Sequence, residues 1–220
     1  GTGNDALLFS RGLLDADTIT VDAGLGDDQV RFDTMRVHAG AAGTAQLGIF
    51  TVTGNGGNDS ITFNQPVLIG DVFIKGGEGS DRINIVEMQT RSRTGGTMNV
   101  DGEAGSDAVY FQLTDIDTDG FTMTDYIVTV HDSGAADDGV DTLVIDGRST
   151  SRTPVGTVDD IFLVRDNFIG RLHGDYAAAA YNPQVERINY DASINGGVRI
   201  NAYTGTDNFV LDGTSAVLTL

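Results

Sequence analysis

Gly76-Gly77-Glu78-Gly79-Ser80-Asp81-Arg82-Ile83-Asn84 sets an acidic, glycine-rich turn against the start of an alternating strand. Gly79 stands two residues before Asp81, and Ile83 and Ile85 follow it at two and four. The same arrangement recurs around Asp5, Asp28, Asp59, Asp107, Asp141 and Asp207. The glycine is then Gly3, Gly26, Gly57, Gly105, Gly139 or Gly205. The first apolar residue is Leu7, Val30, Ile61, Val109, Leu143 or Phe209, and the second is Phe9, Phe32, Phe63, Phe111, Ile145 or Leu211. Side chains alternate across a strand, so apolar residues at two and four turn one face inward.

The residues ahead of the turn repeat as well. Seven before Asp28, Asp59, Asp81, Asp107 and Asp207 stand Val21, Val52, Ile74, Val100 and Ile200. Two further back stand Ile19, Phe50, Val72, Met98 and Val198. Each unit therefore reads as strand, six-residue acidic turn, strand. The anchors are spaced by 23, 31, 22, 26, 34 and 66 residues. The last gap holds three steps of 22, with Asp159 ahead of Ile161 and Leu163 as one degenerate unit and Val185–Tyr190 as another. The unit at Asp141 is expanded by Asp132-Ser133-Gly134-Ala135-Ala136-Asp137-Asp138. Residues 33–48, 87–96, 112–125, 148–158 and 166–183 read as variable returns between units.

A repeat of this length with short strands predicts an all-β, parallel β-solenoid (β-helix or β-roll-like) of roughly nine coils. Residues 1–220 form one such domain. The alternative is a β-sandwich, but hairpins give no reason to repeat one six-residue loop at a fixed offset. The pattern is already running at Gly3-Asn4-Asp5, which reads as a segment of a longer array. Coils without polar caps predict partners in line: neighbouring repeats, or copies stacked end to end.

Composition narrows the chemistry. With 13 basic and 32 acidic residues the net charge is −19, which repels nucleic acid and anionic lipid and attracts cations. No apolar run approaches the roughly 20 residues of a membrane span, so no membrane insertion is expected. The absence of Cys excludes disulfides, zinc-thiolate sites and a cysteine nucleophile. Only Glu78, Glu87, Glu103 and Glu186 among the 32 acids are glutamate. The rest are aspartate, whose short side chain reaches the backbone of tight turns.

In a stacked array the turn aspartates would sit ~5 Å apart in line. Each neighbour then costs ~1 kcal/mol in water and ~3 kcal/mol at an effective dielectric of 20. Such a column wants cations, and Ca2+ accepts carboxylate and carbonyl oxygens in flexible geometry. The other reading is that each aspartate bonds only its own turn backbone. Five residues before the aspartate the chain is always small, at Ala23, Gly54, Gly76, Gly102 and Ala202. Something approaches closely there, backbone or ligand.

The stretch 76–84 matches the nonapeptide G-G-x-G-x-D-x-U-x, and so resembles the RTX (haemolysin-type) calcium-binding repeats. Ala23–Asp28, Gly54–Asp59 and Gly102–Asp107 are looser versions. The resemblance implies a parallel β-roll in which adjacent turns hold Ca2+ between them. It nominates Asp28, Asp59, Asp81 and Asp107 as metal ligands, with carbonyls of turn glycines such as Gly57, Gly79 and Gly105. Asp141, in the expanded loop, and Asp207, preceded by Ala202-Tyr203-Thr204-Gly205, are further metal candidates that depart from the motif. Unlike back-to-back RTX arrays, this chain carries the motif once per unit. In that it is similar to the long-period arrays of very large secreted bacterial surface proteins.

The expected function is a structural or interaction segment of such an extracellular protein, of adhesin, matrix, surface-layer or fibre type, and not an enzyme. The alternative is a carbohydrate-active β-helix enzyme of lyase or epimerase type, or a glycan-binding module. Its candidates are His38, His131 and His173, the run His173-Gly174-Asp175-Tyr176, the pairs Arg91/Arg93 and Arg148/Arg152, and Tyr110 and Tyr190 as glycan platforms. Asp115-Ile116-Asp117-Thr118-Asp119-Gly120 begins like an EF-hand loop, but Tyr126 stands where that loop needs a carboxylate.

Overall fold

Alternation of apolar and polar residues at period two builds this molecule almost entirely from strands. The computed structural model describes residues 1–39, 48–87, 96–113, 127–136, 138–147, 160–175, 180–203 and 205–220. Its strands form three sheets. The eight-stranded sheet lays Ala6–Ser10, Gln29–Asp33, Ser60–Asn64, Arg82–Val86, Ala108–Gln112, Thr142–Asp146, Gly197–Asn201 and Leu218–Thr219 side by side, all parallel. The first six are the strands that follow the turns at Asp5, Asp28, Asp59, Asp81, Asp107 and Asp141, whereas Asn208–Leu211, which follows Asp207, lies in the nine-stranded sheet beside Ile161–Arg165. The strands that lead into the turns, Thr18–Leu25, Ile49–Gly56, Asp71–Gly79, Thr97–Gly105 and Ile127–His131, lie parallel in the nine-stranded sheet. A small third sheet of Leu13–Ala16, Arg36–Ala39 and Val67–Ile69 is also parallel. It covers part of the return between residues 33 and 48, which the sequence reads as irregular. The fold is thus all-β and dominated by parallel sheets. No helix among the described residues is long and apolar enough to cross a membrane.

The register equates the repeat columns. Val30 pairs with Ile61, Ile61 with Ile83, Ile83 with Val109 and Val109 with Leu143. On the facing sheet Val21, Val52, Ile74, Val100 and Val130 form one row, and Ile19, Phe50, Val72, Met98 and Val128 another. From Val30 onward these rows are almost wholly buried and constitute the core. Phe9, Phe32 and Phe63 stack face to face at 4.8 and 4.6 Å, with Phe50 edge-on to the last two. Each strand in these rows packs its apolar residues against those of its parallel neighbours, so burial accumulates across the two facing sheets.

The second half departs from the pattern in two ways. Gly197–Asn201, expected to lead into the Asp207 turn, instead pairs with Thr142–Asp146 and belongs with the strands that follow turns. Val198 and Ile200 satisfy either phase, because both sheets demand the same alternation. The stretch 166–183, expected as a return, is largely strand. Ile161–Arg165, Phe168–Asp175 and Ala180–Asn189 form an antiparallel meander inside the nine-stranded sheet. The turn Asp166-Asn167 permits that hairpin reversal. Val185–Tyr190 is strand as expected, through Asn189, and pairs parallel with Ile127–His131. Asp159 lies outside the described residues.

Truncating a fully buried rung tests this packing. Ile83→Ala should cost ~2–5 kcal/mol in urea unfolding, and the exposed Leu8→Ala less than about 1 kcal/mol. Equal costs would contradict the assigned faces.

Candidate metal centre

The turns stack in register, so that Gly105 pairs with Gly79 and Glu103 with Gly77. Positive φ at Gly57, Gly79 and Gly105, between 126° and 134°, suits glycine alone. A methyl group on Gly79 would also collide with the Gly57 carbonyl oxygen.

Within the stack the aspartates are bonded to one another in sequence. The backbone N–H of Asp5 donates to Asp28 Oδ1 at 2.6 Å, Asp28 to Asp59 at 2.7 Å, Asp59 to Asp81 at 2.7 Å, Asp81 to Asp107 at 2.8 Å and Asp107 to Asp141 at 2.9 Å. The chain of bonds ends on an amide, where Asp141 N–H donates to Asn195 Oδ1. A second chain of opposite polarity runs beside it. Asp27 N–H donates to Asn4, Asn58 to Asp27, Ser80 to Asn58 and Val140 to Ser106. Its signal is in the sequence, since Asn, Asp or Ser precedes each of the first five aspartates. The reading from sequence missed it by attending only to the aspartates.

Asp28, Asp59, Asp81, Asp107 and Asp141 are each at most 3% exposed, and in each Oδ2 is buried without a hydrogen-bond partner. The small residues five before the aspartate now have a cause. A side chain on Gly54, Gly76 or Gly102 would strike Oδ2 of Asp59, Asp81 or Asp107 of the same coil. At Gly54 and Gly76 it would also strike the carbonyl of the next coil, so close backbone explains the requirement.

Burial moves these acids. Desolvation pushes Asp81 up to about 6, opposed by the N–H of Asp59 and aided by the Asp59 charge. It pushes Asp107 up to about 7, opposed by the N–H of Asp81 and aided by Asp81, Asp141 and Asp132. Asp59 and Asp141 are raised for the same main reason.

At the far end of the column the expanded loop adds carboxylates. Asp107, Asp132 and Asp141 each place one oxygen within 4.8 Å of the other two. Both oxygens of Asp138 are buried nearby and unpartnered. Asp132 rises to about 6 through desolvation first, then the charge of Asp141. This cluster could hold a metal ion. The sequence nominated Asp107 and Asp141 but not Asp132 or Asp138, because a loop insertion carries no repeat signal.

Asp207 stands apart from the column. Its Oδ1 accepts from Asp160 N–H at 3.0 Å, forming a separate two-rung step. Asp160 is buried and ion-paired with the buried Arg171, which also meets Glu186. Among the described residues, those proposed for carbohydrate chemistry do not converge. His38 faces Asp15 in the small sheet and His131 faces Asp101 in the large one. Tyr190 is buried, with its hydroxyl donating to the Arg165 carbonyl, so it cannot act as an exposed glycan platform. Tyr110 donates to Asp146, as does Tyr203. Arg91, Arg93, Arg148, Arg152, Tyr176, Tyr126 and the run Asp115–Gly120 lie outside the described residues, as does the side chain of His173. No family model, curated protein or solved structure matches the chain.

The raised acids fix a sign for pH. Their ordinary value is 3.8, so the folded chain binds more protons than the unfolded one between about pH 4 and 7. The stability these raised acids contribute to the metal-free protein is therefore fully present at low pH and is lost as pH rises through that window, opposite in sign to the lowered Asp33. In a chelator, Tm should be higher at pH 5 than at pH 8. The isosteric Asp81→Asn, which keeps the acceptor but cannot ionise, should flatten the slope. A Tm rising with pH, or an unchanged slope in the variant, would contradict the assignment.

Proposed function

We propose that the chain is a parallel β-solenoid serving as a structural and interaction segment of a secreted bacterial surface protein, stabilised by Ca2+ at its stacked acidic turns. One observation carries this reading: five aspartates in register, each with one carboxylate oxygen buried and unpartnered. A buried acceptor left unmatched costs ~1–3 kcal/mol, and more when charged. A hard cation removes that cost where a neutral partner cannot. The net charge of −19 and the predominance of aspartate over glutamate support the same cation. Stacking of coil on coil suits a stiff spacer, whose length follows from the number of coils.

The test is a melt. Removing calcium with EGTA should lower Tm by several degrees, and millimolar calcium should restore it, since extracellular sites bind at ~10⁻⁴–10⁻³ M. A Tm indifferent to calcium would remove the metal from this reading.

A further inference from the structure

We propose that residues 132–136 and 138–140 close over the end of the aspartate column as a dedicated clamp for a single Ca2+ ion, held by Asp107, Asp132 and Asp141, with the buried, unpartnered carboxylate of Asp138 adding its charge beside them. The proposal rests on the reading that hard cations neutralise the acidic turns, and it narrows that reading to one place with its own ligands.

Two observations meet here. The first is geometric. One oxygen each from Asp107, Asp132 and Asp141 falls within 4.8 Å of the others. Two oxygens on one Ca2+ at about 2.4 Å can lie up to about 4.8 Å apart, so the three fit a single coordination sphere. The second is the state of the side chains. Asp107 and Asp141 are each 2% exposed, their Oδ1 atoms accept N–H bonds within the column, and their Oδ2 atoms have no partner. Asp138 has no partner on either oxygen. No other turn among the described residues brings three carboxylates together in this way.

The loop's own bonds hold its carboxylates in place. Ser133 N–H donates to Asp101 Oδ1 at 2.9 Å and Asp132 N–H to Ser193 Oγ at 2.8 Å. Asp138 N–H donates to the Ala135 carbonyl at 3.0 Å. Gly134 lies against Asp138 Oδ2 and the Glu103 carbonyl, where a larger residue would not fit. An all-oxygen set of carboxylates suits hard cations such as Ca2+, Mg2+ and Mn2+. His131 is turned to Asp101 at 3.6 Å. Mg2+ requires near-ideal octahedral geometry and holds its waters, so a crowded carboxylate set from two turns and a loop favours Ca2+. Asn195 in place of a further aspartate marks where the column stops.

The experiment is calorimetric titration of the folded 220-residue chain with CaCl2, and separately with MgCl2, for wild type, Asp132→Asn and Asp138→Asn. Circular dichroism confirms that each variant folds, and either variant alone suffices if the other does not. The expected result is the loss of one calcium equivalent, or a weakening of at least about tenfold, in both variants. Wild type should show no comparable Mg2+ site. Wild-type stoichiometry and affinity in a folded variant would overturn the clamp; a melt still lowered by EGTA would then leave the wider calcium reading standing. No calcium binding by wild type would overturn both.

Discussion

The structure depends on a hydrogen bond passed from turn to turn: the backbone N–H of one aspartate donates to the carboxylate of the next. It sets the register of successive acidic turns, where the chain passes from one large sheet to the other. It also consumes only one oxygen of each carboxylate. The other oxygen of Asp59, Asp81 and Asp107 is buried against Gly54, Gly76 and Gly102, which must be small to admit it. The same bond that aligns the turns therefore creates a line of buried, half-satisfied acids. Burying the turn stabilises the stack through its N–H bonds and destabilises it through desolvated charge. Protonation offsets that cost, as a bound cation would under the function proposed above.

The two outcomes differ along the column. Asp81 lies in the middle, with N–H donors and carboxylates as neighbours. Asp107 and Asp141 lie where the inserted loop adds Asp132 and Asp138. Repulsion and desolvation reinforce each other there, and Asp107 is driven highest, to about 7. Concentrating carboxylates at the expanded turn is costly for an empty structure and useful for one that binds an ion. The apolar rows on either side supply the rigidity this needs, because a displaced coil would expose Ile83 or Val100 as well as break a turn bond.

Much of the fold was readable from residues alone. Ile61, Ile83 and Val109 announced a buried row, and the offset of Gly57, Gly79 and Gly105 announced a recurring glycine turn. Both follow from local rules acting at fixed spacing. The phase of Val198 and Ile200 was not readable, since one alternating pattern serves two sheets equally well. Asp207 looked like another rung because its local spacing imitates the motif; only long-range pairing places it beside Asp160. The meander through residues 161–189 was hidden by the strength of the repeat before it. Of the candidate site, the column was visible through its glycines. Asp132 and Asp138 were not, because three-dimensional convergence of a loop leaves no periodic trace.

Carbon-13 NMR titration of the aspartate carboxyl carbons in calcium-free protein tests the central claim most directly. The account predicts that Asp59 and Asp81 titrate above their ordinary value of 3.8, Asp81 near pH 6. Turn aspartates that all titrate at the ordinary value, with no calcium present, would contradict it.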